Sequence, residues 1–252
     1  MNNYKNGFGK AMLPDGSVYK GNFKDRLFNG KGILVGKLGN RYEGMFKAGL
    51  FNGNGILTGY DGTKYKGGFR NGLANGKGIA VSKNGRKYEG DVSNGLAHGK
   101  GILIYPTGAK YKGQFCKDSK HGKGILKWKD GSWYKGNFLN DEMSGKGTYV
   151  SKAMTYKGDF KHGKFNGKGV KIDRIGKYTG EFKNSEYNGN GAFIWSNGDR
   201  YVGQFKNNYM HGRGLFKHSP KGKQKGVAYK GIWIKGEYSS KKPRRHSNGR
   251  RS

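Results

Sequence analysis

Cysteine occurs once, at Cys116, among 252 residues. That excludes a disulfide framework and a multi-cysteine zinc site, and it fits a reducing compartment. Proline is almost as scarce, at 4 residues, and glycine does not fall at every third position, so the chain is not collagen-like. Acids are few: 16 Asp and Glu stand against 50 Lys and Arg, a net charge of +34. Hydrophobic residues make up only 33%, and 17 Tyr, 14 Phe and 4 Trp supply much of that share. A conventional core of Leu, Ile and Val is therefore excluded. Disorder throughout is excluded as well, because disordered chains lack aromatics. No apolar run approaches the ~20 residues of a membrane-spanning helix; the longest is of the kind Ile102-Leu103-Ile104-Tyr105. The first residues have no apolar signal core, Asn2 excludes myristoylation, and the terminal Gly-Arg-Arg-Ser is not a prenylation signal. The expected location is cytosolic.

What the chain does have is 49 glycines and a register. Tyr-x-Gly recurs at Tyr19, Tyr42, Tyr65, Tyr88, Tyr111, Tyr134, Tyr156, Tyr178, Tyr201 and Tyr229, mostly 23 residues apart. With the tyrosine as position 1, position 3 is always glycine. Position 5 is aromatic in every repeat except the one with Val92, and ends with Trp233. Gly-x-Gly follows at positions 12 and 14, from Gly30/Gly32 to Gly212/Gly214. Gly7-Phe8-Gly9 fits the same frame, so the chain is expected to begin inside a truncated first repeat.

The local periods are those of strands. Tyr-x-Gly-x-Phe alternates with period two, placing Tyr, Gly and Phe on one face. Position 15 is mostly β-branched or aliphatic, as at Ile33, Ile56, Ile79, Ile102 and Val170. Asp15-Gly16, Asp61-Gly62, Asn84-Gly85, Asp130-Gly131 and Asn197-Gly198 predict primed hairpin turns between repeats. Each repeat is then one hairpin. Glycine weakens a strand unless a ring covers its bare Cα, so rings packed on glycine backbone are the expected core. One repeat cannot bury its face, but ten in a row can.

The pattern Tyr-x-Gly-x-Phe, a six-residue loop, Gly-x-Gly and Asp/Asn-Gly resembles the MORN (membrane occupation and recognition nexus) repeat, over roughly residues 4–238. The resemblance implies an all-β, elongated, twisted solenoid of nine to ten stacked hairpins with no catalysis by the repeats. It implies a scaffold that binds partner proteins and anionic phospholipids, peripheral to membrane or cytoskeleton, with end-to-end dimers in some members. Residues 1–238 are expected to form the array and 239–252 a disordered basic tail. Val92, the missing turn glycine at Ala153-Met154, and the insertion Lys217–Ala228 depart from the pattern.

A chain at +34 needs an anionic partner: lipid surface, acidic protein or nucleic acid. Position 13 carries Lys31, Lys77, Lys100, Lys123, Lys146, Lys168 and Arg213. Strand parity points this ladder away from the tyrosines, with rungs ~10 Å apart, as a strip for phosphates. The tail adds Lys241, Lys242, Arg244 and Arg245. The aromatic face, with Tyr42, Phe46, Tyr65, Phe69, Tyr111, Phe115, Tyr134 and Phe138, is the alternative surface, for protein recognition. Exposed rings among lysines would also suit single-stranded nucleic acid, a less favoured third reading. His98, His121 and His211 all occupy position 11, which elsewhere is Asn or Ser, so they read as loop residues and no metal site is expected. Gly-x-Gly recurring without a following helix is no nucleotide fingerprint. No cofactor and no catalytic residue is expected. At the far end, Ile232, Trp233 and Ile234 lie on an apolar strand with no Gly-x-Gly partner after it, so a weak homodimer through this end is expected.

Overall fold

The computed structural model of the chain describes residues 5–221, 224 and 226–239. Among them every regular element is a β-strand, from β1 (Gly7–Met12) to β21 (Glu237–Ser239), twenty-one in all, and no helix is long and apolar enough to cross a membrane. The chain divides into two compact units, Met1–Asp130 with Phe138–Asp141, and Gly131–Asn137 with Glu142–Ser252. In the first, consecutive strands from β1 through β2 (Val18–Lys24) and β3 (Leu27–Val35) to β11 (Ser119–Lys127) pair antiparallel. In the second, the same holds from β13 (Glu142–Val150) to β21. The fold is the stack of hairpins that the registered tyrosines imply.

The turns differ from expectation. The supposed six-residue loop is the end of one strand, a two-residue turn, and the start of the next. Both turn residues have positive φ, for example 52° and 66° at Asp25-Arg26 and 47° and 67° at Lys117-Asp118, which defines the primed type I′ hairpin. These two pairs lack glycine, but Ala48-Gly49, Asn71-Gly72, Asn94-Gly95 and His162-Gly163 make the same turn, and there the glycine signal stood in the sequence. The preceding repeat holds them: Arg26 N–H donates to the Lys5 carbonyl and Asp118 N–H to the Ala97 carbonyl, both at 2.9 Å. The Asp-Gly and Asn-Gly dipeptides make a different turn. At Asp15-Gly16 only the glycine has positive φ, 84°. Gly16 N–H donates to the Leu13 carbonyl and Asp15 Oδ1 accepts from Ser17 N–H at 2.8 Å. This is a type I turn closing on a left-handed glycine.

Gly-x-Gly therefore lies in mid-strand rather than at a strand start, and its two glycines serve different ends. The first, at position 12, has φ between 57° and 92° in all nine copies from Gly30 to Gly212. It sits at a β-bulge, where the register jumps, as between Gly113 and Gln114 in β10 (Lys110–Cys116) against β11. A bulge bends the strand. The bend brings position 10 back over position 1, so Phe28 stacks on Tyr19 with ring centroids 3.8 Å apart, and Phe165 on Tyr156 at the same distance. The second glycine faces position 3 of the partner strand under the tyrosine ring. A Cβ added to Gly21 would lie 2.5 Å from both Gly32 Cα and the Tyr19 hydroxyl, closer than any side chain tolerates. The rings cover bare backbone, as expected, and they do so within their own hairpin.

The bulge also strands a carbonyl, and the tyrosine hydroxyl takes it. Tyr19 donates to the Asn22 carbonyl at 2.8 Å, Tyr111 to Gln114 at 2.9 Å and Tyr178 to Glu181 at 2.9 Å, always three residues on. Coupling between hairpins is edge-to-face: Tyr19 meets Phe46 at 5.1 Å, Tyr88 meets Phe115 at 5.1 Å and Tyr156 meets Phe182 at 5.0 Å. Such pairs contribute about 0.5–1.5 kcal/mol beyond their area. Val92 is buried in the ring position but extends no ring to Tyr65. At the other irregular repeat, Ser151 Oγ accepts from the Ala153 and Met154 N–H groups and closes the glycine-free turn.

Burial raises the phenol pKa throughout this core. Desolvation pushes Tyr19, Tyr134 and Tyr201 up to about 12, and Tyr42 and Tyr88 likewise. An unfolded tyrosine ionises near 10. Between those values the unfolded chain sheds protons that the folded chain keeps, so stability is complete below pH ~10 and is lost as pH rises toward 12. Alkaline titration followed at 295 nm should show the exposed tyrosines ionising first. The repeat tyrosines should ionise later, together with loss of the strand circular dichroism signal. Ionisation of all 17 tyrosines near pH ~10 with the strand signal intact would contradict this core.

Candidate binding surfaces

Cross-strand register assigns every row to a face. Positions 1, 3, 5, 12, 14 and 16 pair among themselves on the aromatic side, as in Gly30 with Phe46, Gly32 with Gly44 and Leu34 with Tyr42. Positions 13 and 15 pair with 4 and 2 on the opposite side, as in Lys77 with Asp91 and Ile79 with Glu89. The ladder cations of the first unit, Lys31, Lys77, Lys100 and Lys123, are exposed on that opposite face. So are Lys146, Lys168 and Arg213 in the second unit.

The few acids are not remote from the ladder. Lys77 Nζ lies 2.6 Å from Asp91 Oδ1, and Lys146 Nζ lies 2.7 Å from Asp159 Oδ1. Position 4 has a second task that sequence reading missed. Its side chain accepts the position 13 N–H freed by the bulge. Asp91 Oδ2 takes Lys100 N–H at 2.9 Å, Gln114 Oε1 takes Lys123 N–H at 2.7 Å and Asp159 Oδ2 takes Lys168 N–H at 3.1 Å. Asp91 and Asp159 thus serve the bulge as acceptors, a task that Gln114 performs without charge. Among the described residues, Lys31, Lys100, Lys123, Lys168 and Arg213 form no ion pair.

In the second unit the same face forms an open trough of about 1130 Å³. It is lined by glycine backbone with Thr148, Val170, Thr179, Ala192 and Val202, by Lys146, Lys157 and Lys168, and also by Asn190 and the carboxylate of Glu181. Small side chains at positions 15 and 2 leave this room.

The aromatic residues are core. Tyr42, Phe46, Phe69, Tyr111, Phe115, Tyr134 and Phe138 are all at most 5% exposed, and Tyr65 is half-buried. A partner can reach these rings only by displacing the position 10 side chains stacked on them. One position 10 residue is polar: Lys120, with a side chain only 12% exposed, donates to Tyr105 Oη at 3.1 Å and pairs with Asp141 at 3.0 Å. Burial alone would pull this ammonium down, but the Tyr105 hydroxyl and the Asp141 carboxylate outweigh it and hold its pKa raised. A lysine where other repeats place Phe28, Phe51 or Phe165 was the sequence signal.

The C-terminal segment is not one strand. It is β20 (Ala228–Ile234), a primed turn at Lys235-Gly236, and β21. Trp233 is buried at 5%, with Tyr238 of β21 and Phe216 beside it at 5.3 and 5.9 Å. The chain thus covers Trp233 itself, while Ile232 is half-buried and Ile234 is 53% exposed. Lys241, Lys242, Arg244 and Arg245 lie outside the described residues. Among the described residues no group of three His, Cys, Asp or Glu side chains could hold a metal ion.

Ten consecutive segments match the MORN repeat family: residues 1–18, 19–41, 42–64, 65–85, 88–110, 111–133, 134–152, 156–176, 178–200 and 201–220. The chain belongs to the MORN repeat family. A search of curated proteins finds no match. Among solved structures, the TCP10 domain of Danio rerio CPAP is similar at 15% identity and TM-score 0.36, over 91% of this chain and 98% of that one. The TCP domain of SAS-4 (dCPAP) of Drosophila melanogaster, solved with a proline-rich motif of Ana2 (dSTIL), is similar at 11% identity and TM-score 0.34, over 61% of this chain and 90% of that one.

The Asp91 carboxyl is held below its ordinary 3.8, first by Lys77 and then by Lys100 N–H. The stability this adds is present above that ordinary value and lost as pH falls through the depressed one. Carbon-detected NMR should place Asp91 below 3.8, and Lys77→Ala should raise it toward that value. An unchanged titration in the variant would show that the ion pair does not exist in solution.

Proposed function

We propose that the chain is a non-enzymatic scaffold that docks on anionic phospholipid surfaces through the face opposite its aromatic core and holds partner proteins there. It works peripheral to a membrane or to the cytoskeleton. The observation that carries this is the set of exposed position 13 cations: in each unit they lie on the face opposite the rings, interrupted at Asn54 and Asn190, and among the described residues five of the seven form no ion pair. Flat rows of cations in repeated register suit a plane of phosphates. Each such residue near an anionic leaflet contributes about 1 kcal/mol. The basic tail residues extend the same attraction. Nucleic acid would meet the same charges but find the stacking rings already buried.

The trough of the second unit favours a protein partner as a second occupant, and salt separates the two modes. Binding through the ladder weakens steeply with ionic strength, while apolar contact within the trough does not. Self-association would take the form of weak two-fold pairing at the short β21 edge, since Trp233 itself is already covered.

Changing Lys31, Lys100 and Lys123 together to Glu in the first unit should leave the strand signal intact. Co-sedimentation with phosphatidylserine-containing vesicles at low salt should weaken at least about tenfold. Equal binding of the unaltered protein to phosphatidylcholine and phosphatidylserine vesicles would sink the proposal.

A further inference from the structure

Position 9, the first residue after each primed turn, holds a leucine in four successive hairpins of the first unit: Leu27, Leu50, Leu73 and Leu96. They are 49, 49, 51 and 39% exposed. In the second unit the same position holds Glu142, Lys164, Glu186 and Tyr209. The row is thus no requirement of the hairpin. Past the bulge, position 5 pairs with 10 on the core side and position 6 with 9 on the outer side. The leucines therefore lie on the ladder face, at its turn edge, with rungs ~10 Å apart.

Their cross-strand partners are cations. Lys24 faces Leu27, Lys47 faces Leu50 and Arg70 faces Leu73, while Ser93 faces Leu96. Arg26 adds a fourth cation, and Asp25 is the only acid at positions 6 to 9 of these hairpins. A protein-docking patch gathers its apolar residues at the centre and sets charge at the rim. Here cation and leucine alternate at three of the four rungs. That interleaving is how interfacial segments meet a bilayer, with Lys and Arg at the headgroups and Leu in the acyl boundary.

We propose that the turn edge of the first unit is a membrane-insertion edge, in which Leu27, Leu50, Leu73 and Leu96 enter the acyl boundary of an anionic bilayer while Lys24, Lys47 and Arg70 hold its phosphates. This rests on the phospholipid reading above and adds a component that does not depend on charge. Charge brings the protein to the surface, and the leucines keep it there when salt screens the charge.

The test is co-sedimentation of the full chain with mixed phosphatidylserine–phosphatidylcholine vesicles at low and high salt. It compares the unaltered protein with a variant carrying Leu27→Ser, Leu50→Ser, Leu73→Ser and Leu96→Ser. The unaltered protein should keep substantial binding at high salt, and the serine variant should lose at least about tenfold there while binding comparably at low salt. The same four positions changed to Met should restore salt-resistant binding, which separates lost insertion from lost folding. If both proteins leave the vesicles together as salt rises, the insertion edge is refuted and the charge reading stands. If neither binds even at low salt, the phospholipid reading fails as well.

Discussion

The structure depends on one contact: a tyrosine ring laid over two facing glycines. The ring can lie there only because neither glycine has a Cβ; at Gly55 an added Cβ would meet the Tyr42 hydroxyl at 2.5 Å. The hydroxyl reaches across to the carbonyl that the bulge leaves unpaired, at 2.8 Å in Tyr156 to Asp159. The bulge in turn requires the left-handed glycine at position 12. Each of these needs the other two. The glycine content, which would weaken an ordinary sheet, is what lets a ring serve as the second layer of a single-layered hairpin.

Several features follow from that contact. Rings meet only the neighbouring hairpin, so stability accumulates by nearest neighbours. A local fault such as Val92 removes two ring contacts, to Tyr88 and to Tyr65, and Tyr65, which has only Ala74 at position 10, is left half-buried. Position 10 is free to vary because stacking on the tyrosine helps but does not define the hairpin. Phe28, Ala74 and the buried Lys120 all occupy it. Position 4 varies as well, Met45 and Gly68 among its residues, but the bulge also releases the position 13 N–H, and Asp91, Gln114, Asp159 and Gln204 each accept it. Where the acceptor is Asp91 or Asp159, it also partly neutralises the ladder.

The repeat, the strand faces and the glycine–ring core were legible in the sequence because side-chain parity and an invariant register state them directly. The turns were not. Asp-Gly is a strong hairpin signal in isolation, yet the primed turns fall at positions 7 and 8: Asn71-Gly72 and Asn94-Gly95 carry a signal for them, but at Asp25-Arg26 and Lys117-Asp118 carbonyls of the preceding hairpin fix the backbone. That is tertiary information. The cap on Trp233 was hidden similarly: a three-residue strand is too short to register as a period, and only its pairing through Trp233 and Tyr238 reveals it. Of the surface, the lysine row was visible as a row. Its ion pairs were not, since Lys77 and Asp91 are fourteen residues apart and meet only across the register.

Because the tyrosines, the position 5 rings and two thirds of the glycine pattern are committed to the core, recognition is left to positions 2, 4, 6, 9, 13 and 15. Those positions differ between the units while the core does not. The first unit fills position 9 with Leu27, Leu50, Leu73 and Leu96, and the second fills positions 15 and 2 with small residues such as Thr148, Ala192 and Val202. One backbone thus carries an apolar, cation-studded edge in one unit and a trough in the other. A uniform cationic strip would need only the lysine row. Two distinct surfaces on one repeated core are what the proposed scaffold needs if it is to meet a lipid surface and a protein chain at different places.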